Sequence, residues 1–299
     1  MTSTNENSSA GEVVGQEAGP DTYPPTVTCP SDDCYQSITD PAMAGSIAFD
    51  GKGNAYVSTF DGNLFKLDLA LGRRENEPPE PPELIASGLN GDSQHTCMGL
   101  ALDGKGNAYV VNGARQLWRV PLDEQPPELM ATGLDAQGSP SDVAVDWAGE
   151  YAYVITRDGV LWRVPLHDGG QRKPVATSLG TADGVVLDGD GRNAYVVNRA
   201  GVLWRVPLPA LDSDQLAVPE QVGTKIPGGG LGVTLDWAGQ NAYVVGRGGA
   251  LIRVPLDGGP QQQAATGLGH HFRPWRWTRR ATPTSSEVTS EPSLLHVAD

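Results

Sequence analysis

One phrase recurs five times in this chain, and a chain built from it has few ways to fold. It reads SIAFDGKGNAYVST from Ser46, GLALDGKGNAYVVN from Gly99 and DVAVDWAGEYAYVIT from Asp142. It continues as GVVLDGDGRNAYVVN from Gly184 and GVTLDWAGQNAYVVG from Gly232. A second phrase follows each copy: NLFKLDL at Asn63, QLWRVPL at Gln116, VLWRVPL at Val160 and Val202, and ALIRVPL at Ala250. A third follows four of them at variable distance: ELIASGL at Glu83, ELMATGL at Glu128, PVATSLG at Pro174 and QAATGLG at Gln263. The repeat tyrosines Tyr56, Tyr109, Tyr153, Tyr195 and Tyr243 are spaced by 53, 44, 42 and 48 residues.

Each repeat reads as four short strands. The apolar VAVD-type stretch is the first, A; its Asp and a following Gly make a turn. AYVV is the second, B, with side chains that suit a pleated surface. LWRVPL is the third, C, and its proline closes the ladder. The ELMATGL type is the fourth, D. No helical apolar stripe interrupts the pattern. Four-stranded antiparallel units of about 40 residues, repeated without helices, predict an all-β fold, a β-propeller. A β-sandwich is the competing all-β architecture, but it does not call for such regular identity between repeats.

Composition narrows what such a fold can bind. The formal charge is −15, from 36 acids against 21 bases, which argues against nucleic acid or an anionic membrane as partner. No apolar run is long enough for a membrane-spanning helix. The first 51 residues hold eight acids and no Lys or Arg. They show neither the basic start nor the apolar stretch of an export signal, so a cytoplasmic protein is expected. Cys29, Cys34 and Cys97 are then read as free thiols. Residues 1–25 read as a disordered acidic tail. The propeller is expected over 26–271, with repeats starting near 45, 98, 141, 183 and 231, and an irregular tail over 272–299.

The GVAVD-x-x-GNAYV phrase resembles the NHL repeat, and LWRVPLDGG followed by ATGL resembles the strand pair of YWTD-type propellers. The resemblance covers residues 45 to 269 and implies a six-bladed ring, here with five clear blades and a sixth incomplete. It also implies that strand A lines the central channel and that D–A loops and B–C turns open on one face, the top, where ligands sit. Related six-bladed propellers include gluconolactonase-like and strictosidine-synthase-like enzymes and the streptogramin lyases.

Two sets of residues fall at that top face. Asp142 and Asp183 lie at the start of strand A in neighbouring repeats, and Asn112 and Asn198 end strand B. Together they form a candidate oxygen-ligand site for a hard cation such as Ca2+. Gluconolactonase-like enzymes hold substrate through a calcium site of this kind. Ser46 stands here where those enzymes carry a Glu. The plainer alternative is that these residues cap turns. Arg157, Arg199 and Arg247 share one place in three successive B–C turns. They are a candidate clamp for an anion or carboxylate, or solvated turn residues paired with acids such as Asp158.

His95, in the loop NGDSQHTC, is a candidate acid or base, since streptogramin lyases use a His with a bound metal; a loop His without a catalytic role is the alternative. Arg119, Arg163, Arg205 and Arg253, with Lys66, recur in strand C and read as structural. So do Trp118, Trp162 and Trp204, expected to pack blade on blade. Trp147 and Trp237 fall in A–B turns and are expected to pack over the adjacent turn, the alternative being exposed contact residues for a partner. No phosphate-binding glycine loop and no HExxH motif occurs. The reading that results is a monomeric, non-enzymatic binding scaffold whose top face takes a small ligand or a protein segment. The alternative is a divalent-metal-dependent, lactonase-like hydrolase or lyase.

Residues 34–39, CYQSIT, stand at the distance of a strand D before the first strand A, and are expected to close the ring. The tail supplies a second, independent sign of a sixth repeat. Take each new triplet from the third base of the old one across RPWRWTRRATPTSS. Trp275 followed by Arg276 then gives GCG, Ala, and Trp277 followed by Thr278 gives GAC, Asp, at the repeat period from Asp236. The remaining triplets permit VAVDPAGNAYVV. The chain is therefore expected to read a sixth blade out of frame from about residue 273. The nucleotide sequence of these codons checks this: every base should allow the repeat phrase in the shifted frame, and one forbidden base contradicts it.

Overall fold

The computed structural model describes residues 44–69, 81–90, 97–134, 138–167, 170–211, 213–236 and 238–266. The proposed closing strand at 34–39, His95, Trp237 and both tails lie outside these residues.

Each repeat is a four-stranded antiparallel sheet with its strands in chain order. Blade 1 is β1 (Ala44–Phe49), β2 (Asn54–Thr59), β3 (Leu64–Asp68) and β4 (Glu83–Ala86). Blade 2 is β5 (Cys97–Leu102), β6 (Asn107–Asn112), β7 (Leu117–Pro121) and β8 (Glu128–Ala131). Blade 3 is β9 (Pro140–Val145), β10 (Tyr151–Thr156), β11 (Leu161–Pro165) and β12 (Lys173–Ala176). Blade 4 is β13 (Ala182–Leu187), β14 (Asn193–Asn198), β15 (Leu203–Pro207) and β16 (Glu220–Val222). Blade 5 is β17 (Gly230–Leu235), β18 (Asn241–Gly246), β19 (Leu251–Pro255) and β20 (Gln262–Ala265). The inner strands pack side by side in sequence, β1 on β5, β5 on β9, β9 on β13 and β13 on β17. The described residues thus form a β-propeller fold with five four-stranded blades.

The A–B turn explains the DGxGN spelling. In blade 2 the Asp103 carboxylate accepts the N–H of Lys105 at 2.8 Å and of Asn107 at 3.0 Å, and its other oxygen accepts Nδ2 of Asn107 at 2.7 Å. Asp50 with Asn54, Asp188 with Asn193 and Asp236 with Asn241 repeat the arrangement. An Asx turn thus starts each hairpin, and Gly104 and Gly106 take the positive φ values, 68° and 106°, that the tight reversal needs.

Packing between blades follows from strand B. Its alternation sends Tyr and the second residue after it to one face, Ala and the Val after Tyr to the other. Tyr109, Val111 and Leu117 of blade 2 meet Ala152, Val154 and Val164 of blade 3. Blades 1 and 2, 3 and 4, and 4 and 5 meet through the same residue types. The tryptophans of strand C border these clusters, Trp118, Trp162 and Trp204 each half-buried against one. Near the axis the backbones come closer still. A Cβ on Gly99 would lie 2.7 Å from Cα of Asp142, and one on Gly184 2.9 Å from Cα of Gly232. Glycine there is a packing requirement.

The strand C cations have the structural role expected. Lys66, Arg119 and Arg205 each stand opposite an acid of strand D, Glu83, Glu128 and Glu220, at 3.0, 2.6 and 2.5 Å. Such exposed pairs add little stability. Blade 3 differs. Its strand D carries Lys173 at that place, and Arg163 is buried. Arg163 instead donates to the carbonyls of Pro209 and Leu211, at 3.1 and 2.9 Å, and stacks on Tyr151. Those carbonyls belong to the long C–D connection of blade 4. That connection folds back on the outer edge of blade 3, where Ala217 donates to the Val175 carbonyl at 2.7 Å. One prediction is corrected: Trp147 does not pack over its neighbouring turn but is 70% exposed.

Candidate functional site

The top face is assembled by a bond repeated in three blades. The N–H of Arg157 donates to the Ser139 carbonyl at 3.0 Å, that of Arg199 to Thr181 at 2.8 Å, and that of Arg247 to Gly229 at 3.1 Å. Each bond ties a B–C turn to the D–A loop of its own blade, so all three arginines leave the backbone at one level. Phe60 and Gly113 hold the place in blades 1 and 2, which leaves the arginines as an arc over blades 3 to 5.

A β-bulge positions the acid that meets this arc. Strand A is irregular at the same place in every blade; in blade 4 Ala182 pairs with Asn198 and Gly184 with Val197, so Asp183 is the extra residue. A bulge re-aims its side chain. Asp183 accepts Nε of Arg199 at 2.7 Å and Nη2 at 3.0 Å, a bidentate pair within blade 4. It also accepts Nη2 of Arg247 from blade 5 at 3.2 Å. The carboxylate is only 10% exposed, whereas Arg199 and Arg247 keep 35% and 25% of their side chains accessible. Arg157 lies one blade away, and its buried Nε has no hydrogen-bond partner. Two expectations that the repeats gave separately, a metal-ligating Asp183 and an arginine clamp, thus meet in one cluster. The acid that the arginines find is Asp183. Blade 4 alone carries an acid at the bulge position, and that difference between repeats was the available signal.

Asp142 is held differently. It sits in strand A where the other blades have Gly or Ser, and its oxygens accept two backbone donors, its own blade's Val143 at 2.9 Å and blade 4's Val185 at 3.0 Å. The residue is partly buried, with the inner strands of blades 2 and 4 on either side of it at Gly99 and Val185. Burial therefore pushes its pKa up to about 7; the two N–H donors oppose this and the Asp183 charge adds to it. Beside it, Ser141 donates from Oγ to the Ala182 carbonyl at 2.8 Å, a second tie between blades 3 and 4.

Asn112 and Asn198 tie turns to loops across blades. Asn112 donates to the Leu89 carbonyl at 2.7 Å and accepts the N–H of Gln116 at 3.1 Å. Asn198 donates to the Leu179 carbonyl at 2.8 Å and accepts the N–H of Val202 at 2.9 Å. Among the described residues no three His, Cys, Asp or Glu side chains gather as metal ligands would. A cavity of about 540 Å3 lies at the opposite end of the fold, on blade 2 between Lys105, Arg119, Pro126 and Glu128, far from the arc.

No family model matches the chain, and no curated protein matches it. Solved structures do. One, from a nidogen/laminin complex, superposes with TM-score 0.55 at 17% identity, covering 72% of this chain and 78% of that one. Another, a protein of unknown function from Bacteroides thetaiotaomicron, gives TM-score 0.57 at 13% identity, covering 75% of this chain and 58% of that one. Likeness at this level shows a shared β-propeller fold.

The Asp142 carboxyl gives the site a pH signature. An unfolded aspartate titrates near the ordinary 3.8, while the folded one keeps its proton to about 7. The folded form binds the extra proton between those values, so stability falls as pH rises across that window. Asp50, held low by Asn54 and backbone N–H groups despite its burial, acts with the opposite sign, below pH 4. Thermal melts at pH 5 and pH 8 should show that Asp142→Asn loses this component, the expected difference from the parent being about 1–3 kcal/mol. Identical pH dependence in both proteins would contradict it.

Proposed function

We propose that this protein is a non-enzymatic binding scaffold. Its top face takes a carboxylate-bearing ligand, a small molecule or an acidic protein segment, on Arg157, Arg199 and Arg247. The observation that carries the reading is the arc itself. Three arginines leave the backbone at equivalent hydrogen-bonded turns of successive blades, on a chain whose formal charge is −15. A positive patch on an acidic protein attracts anions locally and selects against the protein's own acidic surface. Asp183 holds two of the three arginines in fixed orientation, so less side-chain freedom is lost when a ligand arrives. The likeness to a structure of nidogen complexed with laminin supports a protein segment as one form of that ligand.

In its finer features we read the fold as the NHL or YWTD type of six-bladed propeller, spanning 26–271, with the sixth blade incomplete or irregular. The repeat phrases and the fivefold spacing support that reading.

Calorimetric titration with citrate and with a hexaglutamate peptide tests the function. Arg157→Ala leaves the Asp183 pairs untouched, so it probes binding apart from folding. It should weaken either probe by about tenfold or more, the loss of one charge-assisted hydrogen bond. Binding should also weaken as salt rises. Affinity unchanged in Arg157→Ala and Arg247→Ala alike would overturn the assignment.

A further inference from the structure

Among the described residues, five blades make four interfaces. Hydrophobic clusters join blades 1 and 2, 2 and 3, 3 and 4, and 4 and 5. Inner strand β17 does not pack along β1 as every other successive pair does. Both walls of the remaining gap are built from the repeat, yet they are less covered than their equivalents. Tyr56, Tyr109, Tyr153 and Tyr195 are 5% exposed or less, while Tyr243 and Val245 of blade 5 are only half-buried. Leu100, Val143 and Val185 are 6% exposed or less, while Ile47 at the same place in blade 1 is 45% exposed, and Phe49 beside it 62%. Ala55 and Val57 of the same wall, between them and Phe65 and Leu67 in the register, are buried.

We infer that the gap between blades 5 and 1 is a docking slot for one more sheet of this repeat, whose native source is the shifted frame of the codons from about residue 273. The chemistry of the walls specifies the occupant. The blade 5 wall presents the Tyr side, which elsewhere always meets Ala and Val. The blade 1 wall presents the Ala and Val side, which elsewhere always meets Tyr. A single AYVV strand carries both sides in alternation, so one sheet satisfies both walls. The shifted frame permits AYVV at the repeat period after blade 5. A second copy of the chain could match one wall of the first, but only head to tail, leaving an open wall at each end of a growing array. Two chains of formal charge −15 also repel each other.

The slot is independent of the arginine arc and can fail or stand without it. The test replaces everything after Gly269 with a copy of residues 181–208, which carries strands A to C of blade 4 in register with Leu268 and Gly269. This variant should melt about 5 °C or more above the parent chain, since a completed ring buries both walls. Phe49→Asp should change the parent melt by no more than about 1–2 °C, because the side chain is exposed there. In the extended variant it should abolish the gain. Light scattering of the parent should give a monomer. No gain in melting temperature overturns the slot, and so does a Phe49→Asp effect of equal size in both proteins. Parent oligomers that Phe49→Asp disperses overturn the assigned occupant in favour of a second copy.

Discussion

Everything in this molecule depends on one contact made repeatedly, the Tyr side of one strand B against the Ala and Val side of the next. A single blade of four short strands has two apolar faces and cannot bury them by itself. Here each face is apolar because strand B alternates Tyr and Val with Ala and Val, and each face is complementary to the opposite face of its own kind. Stacking therefore continues for as long as repeats are supplied. Stability is then close to a sum of nearest-neighbour terms, with the two end blades least supported. The glycines at 99 and 184 let the inner backbones of blades 2 and 3 and of blades 4 and 5 close in, and between blades 3 and 4 Asp142 reaches the N–H of Val185.

The same stacking positions the top face. Because the blades share one register, equivalent B–C turns lie at one height, and substitutions within the repeat become neighbours in space. Arg199 and Arg247 are 48 residues apart in the chain yet grip one carboxylate. A repeat fold turns variation between its units into a local site, while the invariant residues serve only the scaffold. The strand C cations show the invariant side, and Arg163 shows how one exposed pair is recast when the neighbouring connection changes.

Much of this was legible in the repeats because their spelling is physical. Asp followed by Gly and Asn gives the Asx turn, and the period of two in AYVV gives the faces. Less was legible where the structure departs from the average repeat. Strand β16 is only Glu220–Val222, in the repeat without the ELMATGL phrase, and no local pattern marks it. The bulge at Asp183 arises from pairing between strands, which a single strand does not spell out. In the sequence Asp183 groups with Asp142, its counterpart in the neighbouring repeat, and nothing local marks its pairing with the arginines. An apolar ring in a turn suggests packing, yet Trp147 is 70% exposed, the second of the two readings its position allowed.

Five blades stacked in chain order, with one wall of each end blade less covered, should be visible in amide hydrogen exchange followed by mass spectrometry. Exchange should be slowest in β10, at the middle of the stack, with β6 and β14 next and β2 and β18 fastest of the five equivalent strands. Equal protection in all five would mean that the ends are as well covered as the centre, and would contradict the open stack.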